Sequence, residues 1–291
     1  MLRVMQLNAG SFFEPAWEER RSEIVAWIDE VAPDVVCLQE IWRSSTVATT
    51  ASWLAERAVG DWHLAFGGMP MSRRRTTDTT VEFGPAVLSR WPFDEEELHI
   101  LPLGPGGGNR SAKSWGVLRV RTAALDVFSV HLAAAPHETD LRQAQVVALD
   151  QLITTVRNET VTDEHGERRP GMPVIVGGDF NAEPDSDEIR FLCGLTALGE
   201  RTTFYQDAWR VAGDGGPGLT QDWRHNPLAA DLNVHRKRID YVFVGDAFRR
   251  VGDGGRILTT SLVCNQSRTG GMLASDHFGV VADIVWPTRP A

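Results

Sequence analysis

Val174-Ile175-Val176-Gly177-Gly178-Asp179-Phe180-Asn181 reads as a short buried strand that runs into two glycines, an acid and an amide. A brief apolar run bounded by turn residues is the pattern of a strand covered on both faces. By itself the ending Asp179-Phe180-Asn181 is an ordinary Asx-turn. Its weight comes from repetition along the chain. Asn8 follows Val4-Met5-Gln6-Leu7, and Glu40 follows Val35-Val36-Cys37-Leu38-Gln39. His131 ends Val127-Phe128-Ser129-Val130, Asp240 lies inside Arg238-Ile239-Asp240-Tyr241-Val242-Phe243, and Asp276-His277 precede a last apolar run. Strand ends in a sheet lie side by side, so these events predict one shared polar rim.

Further strand-length runs span 85–88, 115–120, 257–263 and 279–285. Helical periodicity falls between them, over 15–31, 46–57, 139–156 and 185–192, with Pro33 as a stop and Ser186 as a cap. Many strands with interspersed helices predict an α+β or α/β chain whose helices cover sheet faces. No repeat or domain linker is evident, so one catalytic domain over 1–291 is expected. The three cysteines, Cys37, Cys193 and Cys264, form no CxxC pair, which favours a reducing compartment. No leader pattern and no apolar run of membrane-spanning length is seen, so a cytoplasmic protein, monomeric by default, is expected. A net charge of -10 argues against a dedicated nucleic-acid binder, but not against an enzyme that meets phosphate through a metal ion.

The residue types gathered at the rim suit such an ion. A hard cation prefers carboxylate, amide and water oxygens. Phosphoryl transfer needs positive charge on the non-bridging oxygens and an oriented nucleophile. Histidine supplies a cationic donor or general acid near neutral pH, and Glu82 and Asp240 are carboxylates available to orient it. Asp240 within an apolar strand would be costly to bury alone, so it predicts a partner such as His277.

Gln6-Leu7-Asn8, Leu38-Gln39-Glu40, Gly178-Asp179-Phe180-Asn181, Arg238-Ile239-Asp240-Tyr241 and Ser275-Asp276-His277 resemble, in order, the motif series of the endonuclease/exonuclease/phosphatase superfamily. The segment from Gly84 to Arg90 resembles that family's central strand. The resemblance implies a four-layered α/β/β/α sandwich of two mostly antiparallel sheets flanked by helices, with the site at one end. It implies a Mg²⁺ (or Mn²⁺) site at Glu40, with Asn8 and Asp276 nearby. Asp179 would orient or deprotonate the attacking water, and Asn181 would hold that water or a phosphoryl oxygen. His277, oriented by Asp240, and His131, oriented by Glu82, would contact the phosphate.

Departures from the family narrow the substrate. Deoxyribonucleases of the pancreatic type carry Arg where Trp42 stands, and the abasic-site repair branch carries Tyr where His131 stands. Asp179 to Pro184 is similar to deadenylases and to a bacterial branch of the family, and the segment 218–229 is similar to that bacterial branch and is expected to shape a substrate loop. Arg110, Asn226 and Trp42 are candidate substrate contacts. Trp223 is a candidate to line the cleft, and His225 lies in the same segment. Gly104 to Gly108 lacks the GKS/T ending of a P-loop and reads as a loop from which Arg110 and Lys113 can reach phosphate. Arg73 to Arg75 reads as a solvated face. The expected activity is hydrolysis of a phosphodiester or phosphomonoester by in-line attack of water. The alternatives are a nuclease on DNA or RNA, a sphingomyelinase-like lipid phosphodiesterase and, in a different class, a non-catalytic scaffold. The substrate is therefore a small ester or nucleic acid first, a lipid head group last.

Overall fold

The computed structural model describes residues 1–12, 14–71, 76–103, 116–156, 160–162, 168–232, 235–245 and 250–287. Its first strands are β1 (Leu2–Asn8), β2 (Val35–Arg43), β3 (His63–Phe66), β4 (Met69–Pro70) and β5 (Glu82–Ser89). β6 (Phe93–Ile100), β7 (Gly116–Thr122), β8 (Leu125–His131), β9 (Thr160–Thr162) and β10 (Arg168–Pro170) follow. The last are β11 (Ile175–Asp179), β12 (Gln206–Asp207), β13 (Asp240–Val244), β14 (Ile257–Val263) and β15 (Gly279–Ile284). One sheet runs β14-β15-β1-β2-β5-β3 with β4 also on β5, and the other runs β12-β13-β11-β8-β7-β6. β1 with β2 and β8 with β11 are parallel, and the other pairs are antiparallel. β9 and β10 pair separately.

Side-chain alternation sorts the apolar residues into three layers. Leu2, Val4, Val35, Cys37, Val127, Ile175, Val242 and Val244 fill the space between the sheets. Met5, Leu7, Val36, Leu38 and Ile41 face outward beneath helices α1 (Trp17–Val31) and α2 (Thr50–Arg57), meeting Ile24, Trp27, Ile28 and Leu54. Phe128, Val130, Tyr241 and Phe243 face the other way beneath α3 (Thr139–Val156) and α4 (Asp187–Leu192), meeting Leu141, Leu149, Ile153 and Phe191. Each such fully buried side chain contributes on the order of 1.5–3 kcal/mol. A short α5 (Ala208–Ala212) is capped by Asp207, whose carboxylate accepts from the Trp209 and Arg210 amides. The architecture is the expected α/β/β/α sandwich.

Same-face residues therefore change character along a strand. On β1, Leu2 and Val4 point between the sheets, and by the period of two Gln6 and Asn8 point the same way. Gln39 on β2, Ser129 and His131 on β8, Asp179 on β11 and Asp240 on β13 share this inner face by the same parity. The interlayer is apolar at one end and polar at the other, and the polar end is the rim.

Several boundaries differ from the sequence reading. α1 starts at Trp17 rather than Pro15, and α2 starts at Thr50 because Thr49 caps it, accepting from the Ser52 amide at 3.0 Å. Ser186 occupies the N-cap of α4 but gives its hydroxyl to Glu183 O instead. Strands β3, β4, β6, β9, β10 and β12 and helix α5 were not legible. β6 carries Asp94-Glu95-Glu96-Glu97, which reads as a solvated run. It is a largely exposed edge strand whose Glu95 and Glu97 pair with Arg119, and edge charges of this kind discourage sheet-to-sheet association. The loop readings at Arg73 to Arg75, Gly104 to Gly108 and Lys113 lie outside the described residues.

Gly84 marks a close approach that only a missing side chain permits. A Cβ there would sit 2.0 Å from the Gly67 carbonyl oxygen, a backbone atom that cannot move aside cheaply. Gly84→Ala is expected to cost about 2–3 kcal/mol and to lower the melting temperature by roughly 5–10 °C. Gly271→Ala, whose nearest neighbour would be Thr269 Oγ1 at 3.7 Å, should leave it unchanged in the same calorimetric scan.

Candidate active site

Strand register builds the centre. Asp179 ends β11 directly beside His131 on β8 and Asp240 on β13. Across the interlayer, Asn8 Nδ2 donates to Asp179 Oδ2 at 3.0 Å and approaches Glu40 Oε1 at 3.4 Å. Gln6 Nε2 donates to Asp240 Oδ1 at 2.8 Å. The two sheets are thus tied at the rim by amide-to-carboxylate bonds between buried groups.

Two of the residues stand on left-handed backbone. Glu40 has φ 60° and Asn181 φ 49°, values that non-glycine residues seldom adopt. Glu40 sits where the β2–β5 register slips between Leu38 and Ile41. This bulge adds one residue, so Leu38 and Ile41 both face outward and Glu40 is turned out of the alternation. At Asn181 the turn is held by its amide donating to Asp179 Oδ1 at 2.8 Å, while Nδ2 donates to Leu132 O at 3.1 Å. The Asx-turn reading and the functional reading of this segment therefore describe one object. Backbone held off its preferred region clusters at functional sites.

His277 is enclosed by acids. Its Nδ1 lies 2.9 Å from Asp240 Oδ2, and its Nε2 lies 3.9 Å from Asp276 Oδ2 and 4.0 Å from Asp179 Oδ2. Burial favours the neutral ring, but the charges of Asp240, Asp276 and Asp179 together outweigh it and hold the imidazolium well above the usual histidine range. Asp179 moves the other way from an ordinary carboxylate. Burial, then the neighbouring Asp240 charge, push it up to about 6, against the opposing pull of His277 and the Asn8 and Asn181 N–H groups. His131 Nε2 is 3.6 Å from the same carboxylate.

Three supporting residues were not foreseen. Gln221 is buried, with Nε2 3.3 Å from His277 Nε2; with an imidazolium, its carboxamide oxygen would face that nitrogen instead. Ser275 Oγ lies 2.6 Å from Asn8 O and accepts from the His277 amide at 3.1 Å, fastening the Asp276-His277 segment to β1. Arg20 is fully buried on α1, donating to the carbonyls of Pro15, Ala9 and Ser11. Burial lowers its pKa, while the charges of Glu14, Asp276 and Glu40 raise it. Among Glu18, Glu19 and Arg21 it reads as one more solvated charge, and nothing in the pattern marks it as interior.

The other expected site residues lie elsewhere or act otherwise. Glu82 does not orient His131 in this structure. It stands opposite Arg43 in the β2–β5 register and is taken by that guanidinium, the ordinary outcome for opposed charges on neighbouring strands. Asn226 uses its amide structurally, donating to Ser275 O at 2.8 Å and accepting from the Leu228 amide at 3.0 Å, so it anchors a turn rather than offering a free group to substrate. Trp42 packs edge-on against Phe12 with ring centroids 4.8 Å apart. Arg110 lies outside the described residues. His63 and His235 are exposed, and His235 pairs with Glu183 at 2.6 Å.

Two donor sets could hold a cation. Asp179, Asp240 and His277 place ligand atoms within 4.8 Å of one another, but Asp240 already accepts from Gln6 and faces His277, whose cationic form cannot ligate. Glu40 and Asp276 are partly exposed carboxylates on either side of β1, the oxygen chemistry that a hard divalent ion prefers. Asn8 presents its NH₂ to the Glu40 and Asp179 carboxylates and accepts from Gly10 N at 3.1 Å, so as oriented it bridges these two acids and offers no oxygen as a ligand.

The structure is similar over nearly its whole length to solved folds. An endonuclease/exonuclease/phosphatase family protein from Leptotrichia buccalis C-1013-b matches with TM-score 0.66 at 16% identity, covering 98% of this chain and 100% of that one. D. rerio TDP2, complexed with single-strand DNA product, matches with TM-score 0.66 at 19% identity, covering 97% of each chain. The human Nocturnin catalytic domain with bound sulfate matches with TM-score 0.66 at 20% identity, covering 98% and 93%. No curated protein matches in sequence. These likenesses establish the fold. The Endonuclease/Exonuclease/phosphatase family model matches residues 5–277, a span that holds every rim residue from Gln6 to His277. The chain belongs to the Endonuclease/Exonuclease/phosphatase family, which includes metal-dependent nucleases and phosphatases.

Proposed function

We propose that this protein is a divalent-metal-dependent phosphoesterase that hydrolyses a phosphodiester or phosphomonoester by in-line attack of water. The observation that carries this reading is Asp179, fully enclosed beside Asp240, Asn8, His131 and His277, with a carboxyl raised to about 6. A carboxylate in that range is basic enough to take a proton from water near neutral pH yet remains ionised there. His277, cationic and fixed through Nδ1 by Asp240, directs its Nε2 side at the same point, where it can donate to a phosphoryl oxygen. His131 offers a second imidazole on the opposite flank. A Mg²⁺ or Mn²⁺ ion held by Glu40 and Asp276, when bound, would place positive charge on the phosphoryl oxygens and acidify a water. The DNA product on the TDP2 relative and the sulfate on the Nocturnin relative support a phosphate-type ligand for this chain. A non-catalytic scaffold with this fold is disfavoured, because buried like charges and left-handed Glu40 and Asn181 cost stability without a task to retain them.

Four outcomes are expected. EDTA should abolish hydrolysis of bis-p-nitrophenyl phosphate, and added Mg²⁺ or Mn²⁺ should restore it. Asp179→Asn should lower turnover by about a thousandfold or more, in line with loss of a central group. It should not lower the melting temperature measured in EDTA at mildly alkaline pH. The sign follows from linkage. A carboxyl raised to about 6 in the fold, from an ordinary value of 3.8, stabilises the folded state when protonated, and that stability is lost as pH rises through the interval. The asparagine variant lacks this loss. Near-normal turnover in Asp179→Asn would overturn the assignment. Asp240→Asn should move the alkaline fall of kcat/KM to lower pH, since His277 loses the largest of the charges that keep it protonated. An unshifted alkaline limb would remove His277 from the role of cationic donor.

A further inference from the structure

The turn 222–226 spans the rim with both ends fixed to the segment that carries Asp276 and His277. At one end Gln221 lies 3.3 Å from His277 Nε2, and at the other Asn226 Nδ2 donates to Ser275 O at 2.8 Å. Gln221 is also paired through both backbone groups with Lys237. The turn is stiffened from inside by Asp222, whose carboxylate takes the Arg224 amide at 3.0 Å, His225 Nδ1 at 2.8 Å and Arg236 Nη1 at 3.3 Å. These contacts hold Asp222 below the usual carboxylate range: burial opposes the shift, and the bonds to His225 and the Arg224 amide with the Arg236 charge outweigh it.

What the turn presents outward is Trp223, 41% exposed, with Arg224 exposed beside it and 5.6 Å from the indole centroid. His225 has 68% of its side chain exposed. Two Cα–Cα steps separate Trp223 from Gln221, so its Cα lies within about 7.6 Å of the Cα of a residue in contact with His277. Arg236 is paired with Asp222 and the buried Arg238 with Asp207, so Arg224 is the cation that the turn itself presents to solvent. An aromatic face beside a guanidinium binds a base by stacking and its phosphate by charge.

We propose that the Trp223-Arg224-His225 turn is a substrate-recognition shelf that stacks a nucleobase on Trp223 and holds the adjoining phosphate with Arg224, so that the cleaved ester belongs to a nucleic-acid strand or a nucleotide. This rests on the phosphoesterase reading for the position of the cleaved bond; the binding itself does not. Side-chain hydrogen bonds that hold the turn involve Gln221, Asp222, His225, Asn226 and Arg236, so replacing the Trp223 or Arg224 side chain leaves the support in place.

The test measures anisotropy of a fluorescein-labelled single-stranded oligodeoxynucleotide, and of a labelled mononucleotide, on Asp179→Asn protein with Mg²⁺. The same protein carrying Trp223→Ala, Trp223→Phe or Arg224→Ala is measured beside it. Trp223→Ala should weaken strand binding by about tenfold or more, with Trp223→Phe retaining most of it, and Arg224→Ala should reduce the salt slope by about one. In otherwise wild-type protein Trp223→Ala should lower kcat/KM on the oligonucleotide about tenfold more than kcat/KM on methyl p-nitrophenyl phosphate. Mononucleotide binding as tight as strand binding, and equally sensitive to Trp223, supports base recognition and assigns it to free nucleotides. Undiminished strand binding in Trp223→Ala overturns the proposal, as does an equal loss on the small diester, or binding to sphingomyelin vesicles with none to either nucleic-acid probe. Absence of all hydrolysis by the wild type would defeat the phosphoesterase reading alone, since anisotropy still decides the shelf.

Discussion

Two carboxylates, Asp179 and Asp240, lie directly opposite one another on adjacent strands inside the protein, and the surrounding structure is arranged to make that tolerable. Like charges so placed repel strongly in a low dielectric, and each loses its hydration. Compensation comes from both sheets: Gln6 and His277 for Asp240, Asn8 and the Asn181 amide for Asp179. None of these partners lies close in sequence to both acids. The site therefore exists only when the two sheets are stacked in register, and the amide bonds across the interlayer help to set that register.

The division of labour within the cluster follows from the environment of each group. Asp240, bonded on both oxygens, is a fixed counter-charge. Asp179 has a weaker set of partners, so burial prevails and raises its carboxyl to about 6. At His277 burial is overcome instead: the three surrounding acids raise the affinity of the ring for its proton and keep it cationic. An acid and an imidazole whose affinities for protons are driven in useful directions by burial and neighbours form the usual signature of general acid–base chemistry. The Arg20 guanidinium, bonded to loop carbonyls behind the Glu40 and Asp276 carboxylates, gives the opposite flank of the rim a fixed positive charge.

Packing explains the glycines that precede the acid. A Cβ on Gly177 would meet Cys37 Cβ at 2.8 Å across the interlayer, and one on Gly178 would meet the Val130 carbonyl oxygen at 2.3 Å. The sheets approach so closely at this height that the β1 amides of Gln6 and Asn8 reach the β13 and β11 carboxylates, and Gln39 on β2 reaches the Ser129 hydroxyl on β8. A larger residue at Gly177 would separate the layers and lengthen those bonds before it altered any rim side chain.

Composition, periodicity and motif order were enough to read the helix at 139–156, the strands at 125–131 and 257–263, and the gathering of Asn8, Glu40, His131, Asp179, Asp240, Asp276 and His277. They are enough because strand alternation and strand-end polarity are local properties, and a strand's end must lie beside its neighbours' ends. The partners of Glu82 and Asn226 were not legible, because register alone placed Glu82 opposite Arg43 and loop closure alone consumed the Asn226 amide. The edge strand β6 was hidden because both of its faces are largely exposed, leaving no apolar alternation to read. Gln6 and Ser275 stand inside motifs legible in the sequence, but their roles, like those of Gln221 and Arg20, were hidden for a related reason: an uncharged amide, a hydroxyl or one more arginine does not announce its partner. Their contribution is fixed by what the folded chain brings within hydrogen-bond reach, so the chemical types of the rim belong to the sequence and their pairing belongs to the tertiary structure.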